Sequence, residues 1–328
     1  MKKRLSLALV TTLLFTLIVT SAGAMTLNFA MTATEKEHHG ACIYTFADYV
    51  MANTDDIEIT VYPSSTLYDD SNLLEAMMRG NLEMGVAAPA MLSEFYPGVS
   101  VLGACYVFRS PEHMLNVMNG EIGQALYDKI AEETNIRILG ALYKGRRCID
   151  LTIDKKITSR ADMEGILLRT PNSESWMNMG RALGATPVAM ALSEVYLGLQ
   201  AGTIQGQDNP LQATMLYGFG EVTKSITMTN HVIDLIWICI DEDIWQGFDD
   251  ATKAVFMEAF HVAENECTEA FSGEEADLIA QFREMGLSVY DDVDTTEYAA
   301  EIRDWYFANA DVIGDWDMDL YEAIQSAE

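Results

Sequence analysis

The chain has 328 residues, with 20 lysines and arginines against 50 aspartates and glutamates, and its formal charge of −30 disfavours nucleic acid and anionic membrane surfaces as partners. Its 49% hydrophobic and 9% aromatic content is ample for a packed core, and its length exceeds what one core usually covers, so two domains are expected. An anionic ligand would have to be held by a few local positive groups against an unfavourable overall field.

Lys2, Lys3 and Arg4 form a basic head, Leu5 to Thr20 an apolar run, and Ala22-Gly23-Ala24 an A-x-A cleavage site. This pattern predicts an export signal over residues 1–24 and a mature chain starting at Met25. The apolar run of about 16 residues is short of the about 20 that a membrane span needs, which leaves a retained anchor as the competing reading. Met25, not a cysteine, stands directly after the cleavage site, so the product is expected free in the periplasm or outside the cell. The five cysteines, at 42, 105, 148, 239 and 267, are an odd and scattered set. They read as buried small apolar residues, with one disulfide as the alternative.

Leu27 to Met31 alternates as a strand, and a helix follows from about Gly40 to Ala52. Ile57 to Tyr62 is a second strand, closed by Pro63. Leu73, Leu74, Met77 and Met78 recur at helical spacing before Gly80, and Glu83 to Ala87 gives a third strand. This β-α-β-α-β order argues for a parallel sheet flanked by helices, with ligands at the carboxyl ends of the strands. A helix from about Glu112 to Glu133 then leads into a strand over Ile136 to Tyr143.

A second α/β unit follows. Ser159 with Asp162 resembles a capping box, and Gly165 ends the short helix it opens. Ile166 to Thr170 is a strand stopped by Pro171, a helix runs from about Glu174 to Leu183, and Thr186 to Ala189 is the next strand. Ser193 caps another helix that Gly202 closes, and Ile204 to Asp208 is a further short strand. Arg169 and Asn209 thereby fall at or beside strand carboxyl ends, the ligand edge of such a sheet. Val232 to Ile240 reads as a strand returning to the first sheet. Asp249 to about Met285 reads as a helix of about 55 Å, which must break, with Ser272-Gly273 the place for it, or run across both domains.

The segments YPSSTLYDDSNLLEAMMRGNLEMGVAAPA, GRRC, DMEGILLRTPNSESW, LGATPVAMALSEVYLGLQAGTIQGQDNPL and TNHVIDLIW occur in this order. Together they resemble the substrate-binding proteins of tripartite ATP-independent periplasmic (TRAP) transporters of the DctP type, over about residues 26 to 290. The resemblance implies an α/β, two-lobed periplasmic-binding-protein fold, with two parallel or mixed sheets flanked by helices and a long helix spanning both lobes. Lobe I is expected over 25–146 and 235–274, and lobe II over 147–234 and 275–328.

The resemblance also implies a site. Arg169 matches the arginine that pairs with the ligand carboxylate, and its planar guanidinium offers two parallel donors that a lysine cannot copy; an internal ion pair is the alternative. Arg147 matches the second family arginine, with Arg146 the other choice, and Asn209 matches the asparagine that donates its amide to the same carboxylate. Leu192 stands where members often carry an aromatic residue against the ligand. His231 and Asp234 match a segment approaching the cleft, although a structural histidine reads equally well. Thr32, Glu35 and His38 after the first strand, and Asp69 and Asp70 after the second, lie in loops that supply polar contacts. Trp176 and Trp237 line an aromatic pocket or belong to the core.

No G-x-S-x-G or H-E-x-x-H motif occurs, and His38, His39 and Cys42 are an incomplete metal set. Neither enzyme activity, metal nor cofactor is expected. The expected function is that of a monomeric receptor that closes on a small carboxylate and delivers it to the TRAP membrane permease. A receptor feeding a signalling protein is the alternative. Sugar and hydroxy acids come first among ligands, keto and aromatic acids next.

Overall fold

The computed structural model describes residues 24–327, so the basic head and apolar run of the expected export signal lie outside the described residues. Strand β1 (Met25–Ala30) pairs in parallel with β2 (Ile57–Tyr62) and β3 (Met84–Ala87). The crossover helix His38–Asn53 buries Cys42, Ile43, Phe46 and Val50 beneath them, the spacing of one apolar helix face. Strands β5 (Leu167–Thr170), β6 (Thr186–Ala189) and β7 (Gly206–Pro210) form the second unit, with β6 and β7 both parallel to β5.

Two long antiparallel strands join the units: β4 (Ile136–Leu151, 16 residues) and β8 (Ser225–Asp241, 17 residues). Their first and second halves serve different units, so the two expected sheets merge into one of nine strands, ordered β2-β1-β3-β8-β4-β7-β5-β6. The short β9 (Ser288–Tyr290) pairs with β8. Sequence periodicity ends the first crossing strand at Tyr143 and starts the second at Val232, because the stretches from Lys144 to Arg147 and from Thr229 to His231 carry no large apolar side chain. The backbone nonetheless continues through both stretches, with register shifts between Tyr143 and Arg146 and between Arg147 and Ile149. Gly145 makes the first shift possible: its φ is +98°, and a Cβ there would meet Pro210 Cβ at 2.8 Å.

The expected helix over 112–133 is two helices, Pro111–Met118 and Glu121–Thr134. Asn119 breaks it by docking on β4: its Nδ2 donates to the Ala141 carbonyl (3.0 Å) and its Oδ1 accepts from the Ala141 amide (2.7 Å). The long helix Asp250–Glu284 has no such break at Ser272-Gly273 and runs for 35 residues, about 52 Å at 1.5 Å per residue. It packs Phe256, Phe260, Ala263 and Cys267 on the first unit, and Leu278 and Phe282 in a smaller core with Cys148, Leu211 and Ile226.

The helix Thr296–Ala308 packs on the second unit, where Tyr298 Oη donates to the Leu183 carbonyl at 2.9 Å. The final helix Met318–Ser326 crosses back to the first: Gln325 Nε2 donates to the Val107 carbonyl (2.8 Å) and Ile324 O meets His113 Nε2 (3.2 Å). All five cysteines are free thiols and buried.

Candidate functional site

Strand β5 is four residues long and Pro171 stops it, which sets Arg169 one residue from its carboxyl end, in register with Gln207 of β7 and Val188 of β6. The Arg169 side chain is buried. Its Nε donates to the Met190 carbonyl at 2.9 Å, and no carboxylate among the described residues comes within ion-pair distance of the guanidinium. Burial, opposed by the field of Asp208 and aided by that of Arg147, brings its pKa down to about 10. A buried, uncompensated cation is costly, and an incoming anion would relieve that cost.

Arg147 has the opposite surroundings. It sits on β4 opposite Pro210 of β7 and Val232 of β8. Its Nε donates to Asp208 Oδ2 (2.6 Å), its Nη1 to Asp234 Oδ2 (2.8 Å) and its Nη2 to the Asp208 carbonyl (2.7 Å). The Trp176 ring covers one face of the guanidinium at 4.4 Å. Burial disfavours its charge, but Asp208 and Asp234 outweigh burial and raise its pKa. Burial likewise disfavours the Asp208 carboxylate, and Arg147 with His231 overcomes it, holding Asp208 well below the usual range. Lys144 Nζ lies 3.7 Å from Asp234 Oδ2.

His231 completes the cluster. Its Nδ1 meets Thr229 Oγ1 at 2.8 Å and its Nε2 meets Asp208 Oδ2 at 3.4 Å. Burial lowers its pKa despite Asp208, so a neutral ring accepting from Thr229 and donating to Asp208 satisfies both contacts. Arg147 and Lys144 therefore balance Asp208 and Asp234 within the cluster. Arg169 is left as the surplus positive charge.

Of the two adjacent arginines, Arg147 enters this cluster; Arg146 faces Glu275 of the long helix at 3.8 Å. Asn209 is buried on β7, and its Nδ2 donates to Gln207 Oε1 at 2.5 Å. The structure thus brings Arg147, Asp234, His231 and Trp176 together around Asp208 at the bends of β4 and β8, with Arg169 within reach of the fields of Asp208 and Arg147; the Asn209 amide pairs with Gln207 instead. Trp237 is wholly buried, edge-on to Tyr127, and belongs to the core. Leu192 is half-buried against the small core of Val195, Leu199, Ile204 and Phe219.

The loop candidates lie on the first unit. Thr32 is half-buried, while Glu35 and Asp70 are exposed. His38 reaches across: its Nε2 is 2.5 Å from Glu274 Oε2, and its amide donates to Gln212 Oε1 at 3.4 Å. Beside it, Glu37 Oε1 accepts from Tyr217 Oη at 3.3 Å, so the start of helix His38–Asn53 is tied to the second unit. The sequence reading omits Glu37, Tyr217, Asp208 and a buried group of Asp150, Gln207 and Thr214. The alternation of Gln207, Asp208 and Asn209 along β7, which sends the amides to one face and the carboxylate to the other, was the available signal.

The family model for bacterial extracellular solute-binding proteins, family 7, the DctP family, matches residues 29–308. The chain belongs to this family. It is 30% identical over 234 residues to the sialic acid-binding periplasmic protein SiaP of Vibrio cholerae, covering 71% of this chain and 72% of that protein. A TRAP periplasmic solute-binding protein from Roseobacter denitrificans, solved with bound 3-deoxy-D-manno-oct-2-ulosonic acid (KDO), superposes with a TM-score of 0.85 at 28% identity, covering 92% of this chain and 99% of that one. Another, from Polaromonas and bound to D-erythronate, has a TM-score of 0.81 at 26% identity, with coverage of 92% and 99%. The two α/β units of this chain thus correspond to the two lobes of TRAP solute-binding proteins.

Proposed function

We propose that this protein is the extracytoplasmic receptor of a TRAP transporter, which captures an organic acid between its lobes and delivers it to a membrane permease. One observation carries this reading: Arg169 is a buried arginine at a strand carboxyl end with no counter-ion among the described residues, in a family of solute-binding proteins. Its Nη1 and Nη2 groups form the planar fork that a carboxylate accepts. Asn209, on the adjacent strand, adds an amide donor. Arg147 is the second cationic wall, its field directed by Asp208, Asp234 and Trp176 rather than left free. Thr32, Glu35, His38, Asp70 and Leu192 border the remainder of the ligand.

The ligand class is a sugar or hydroxy acid, as the bound KDO and D-erythronate of the two similar receptors suggest. The chain works in the periplasm as a monomer, exported by the signal over residues 1–24, and performs no chemistry on its ligand. A thermal-shift screen against sugar, hydroxy, keto, dicarboxylic and aromatic acids tests this. A ligand at 100 times its dissociation constant adds about 2.7 kcal/mol of stability. A carboxylate hit that disappears in Arg169→Ala supports the receptor; silence across the panel, after refolding to strip retained ligand, overturns it.

A further inference from the structure

Asp150 lies wholly buried on β4, in register with Gln207 of β7, and no cation among the described residues pairs with it. Its Oδ2 accepts from Thr214 Oγ1 at 2.6 Å and from Gln207 Nε2. Gln207 Nε2 also meets Thr214 Oγ1 at 3.2 Å, so its amide nitrogen is committed to this side. That leaves Gln207 Oε1 facing Asn209, whose Nδ2 donates to it. The chain of bonds runs in one direction, from the Asn209 amide to a buried carboxylate.

We propose that Asp150 is a positioning residue for ligand capture, fixing through Thr214 and Gln207 which edge of the Asn209 amide meets the ligand. The proposal rests on the reading that Asn209 and Arg169 hold the ligand carboxylate. A primary amide can present its N–H or its C=O after a half-turn, and only a neighbour of fixed role chooses between them. An ionised carboxylate has that property because it accepts and never donates. With Asp150 ionised, one Nδ2 hydrogen of Asn209 is spent on Gln207. The other hydrogen and Oδ1 remain, a donor and an acceptor side by side. This pair suits an acid with a hydroxyl next to its carboxylate: the amide hydrogen donates to the carboxylate and Oδ1 accepts from the hydroxyl.

A purely structural role would be met as well by asparagine. Burial raises the Asp150 pKa to about 7 in spite of the bonds from Thr214, Gln207 and Cys148, with Asp208 pushing in the same direction as burial. Above neutrality the carboxylate form prevails and the direction of the chain is set.

The test is calorimetric titration at about pH 8.5, where Asp150 is ionised, using whichever of KDO, D-erythronate, D-gluconate and sialic acid stabilise the wild-type protein. Asp150→Asn keeps the shape but removes the fixed acceptor, and affinity is expected to fall about tenfold. The same change made in Asn209→Ala is expected to cost nothing further, since coupled residues do not add. Thr214→Ser, which keeps the hydroxyl, retains wild-type affinity, and Thr214→Val loses part of it. Unchanged affinity in Asp150→Asn, or an equal loss with and without Asn209, overturns the proposal. Should Asp150→Asn fail to fold, the Thr214 pair decides alone: equal affinities for valine and serine overturn it. A wild-type protein silent to every acid overturns the receptor reading and this proposal with it. Binding that is lost in Arg169→Ala but indifferent to Asp150 overturns only the proposal.

Discussion

Arg147 holds Asp208 twice, from Nε to the carboxylate at 2.6 Å and from Nη2 to the backbone carbonyl at 2.7 Å. The pair is buried, and neither charge can be removed without stranding the other. Arg147→Ala leaves Asp208 and Asp234 desolvated, with the neutral His231 ring on Asp208 and Lys144 beside Asp234, so a loss of about 3–5 kcal/mol is expected. Urea unfolding of the ligand-free protein measures it. Arg147→Lys is expected to recover only part, because one ammonium cannot span Asp208 Oδ2, Asp234 Oδ2 and the carbonyl. Wild-type stability in Arg147→Ala would remove the cluster from the structural frame.

Arg169 should behave in the reverse way. Its charge has no internal partner to strand, so Arg169→Ala is expected to keep or raise the ligand-free melting temperature while abolishing binding of the panel acid. Arg169→Lys is expected not to rescue affinity, since the bidentate geometry is lost. Calorimetry on the two variants checks this, and retained affinity in either would place the carboxylate elsewhere.

The pH dependence of stability carries a signature of Asp150. Its folded pKa of about 7 lies above the ordinary 3.8, so the native state binds the proton more tightly than the unfolded chain. Its contribution is full below about pH 4 and is lost as pH rises toward 7, a few kcal/mol in all. His231 works oppositely, since its pKa is lowered and its contribution is lost as pH falls through the ordinary histidine range. Comparing wild type with Asp150→Asn isolates the first effect: the variant's advantage in urea unfolding is expected to grow between about pH 4 and 7 and then level off. A pH-independent difference would mean that Asp150 is ionised throughout.

Ligand should draw the lobes together, and the contacts across them should matter for affinity. Small-angle scattering is expected to show a smaller radius of gyration at saturating ligand. Tyr217→Phe, which deletes the hydroxyl bonded to Glu37, is expected to weaken binding about threefold to tenfold, with the loss in the dissociation rate. Identical scattering with and without ligand would exclude closure.

Much of the fold was legible because stop residues mark boundaries that periodicity alone leaves loose: Pro63 and Pro171 close strands, and Gly202 closes a helix. The crossing strands were legible only in part, because Lys144, Arg147 and His231 interrupt the hydrophobic pattern where they build the buried polar cluster. A pattern that reads polarity as an end of strand misses a strand whose polar residues are buried and paired. In the candidate site, Arg169 and Asn209 could be found from their places at strand ends. Asp208 could be found only from its alternation with Gln207 and Asn209, and Asp150 could not, since a carboxylate is expected on the surface until its partners, distant in sequence, are known. The break at Asn119 was hidden for the same reason: its partner, Ala141, lies in the next strand.

The burial of all five thiols leaves the surface chemically silent toward sulfhydryl reagents. Burial raises the pKa of Cys105 to about 12 and pushes Cys148 and Cys239 up as well, so little reactive thiolate forms at these three positions at neutral pH. A cysteine introduced at an exposed position such as Glu58 in the first unit or Gln200 in the second would therefore outcompete the native ones for a maleimide dye. The wild-type background itself can carry a donor and acceptor pair, and lobe movement can be followed molecule by molecule without a cysteine-free variant.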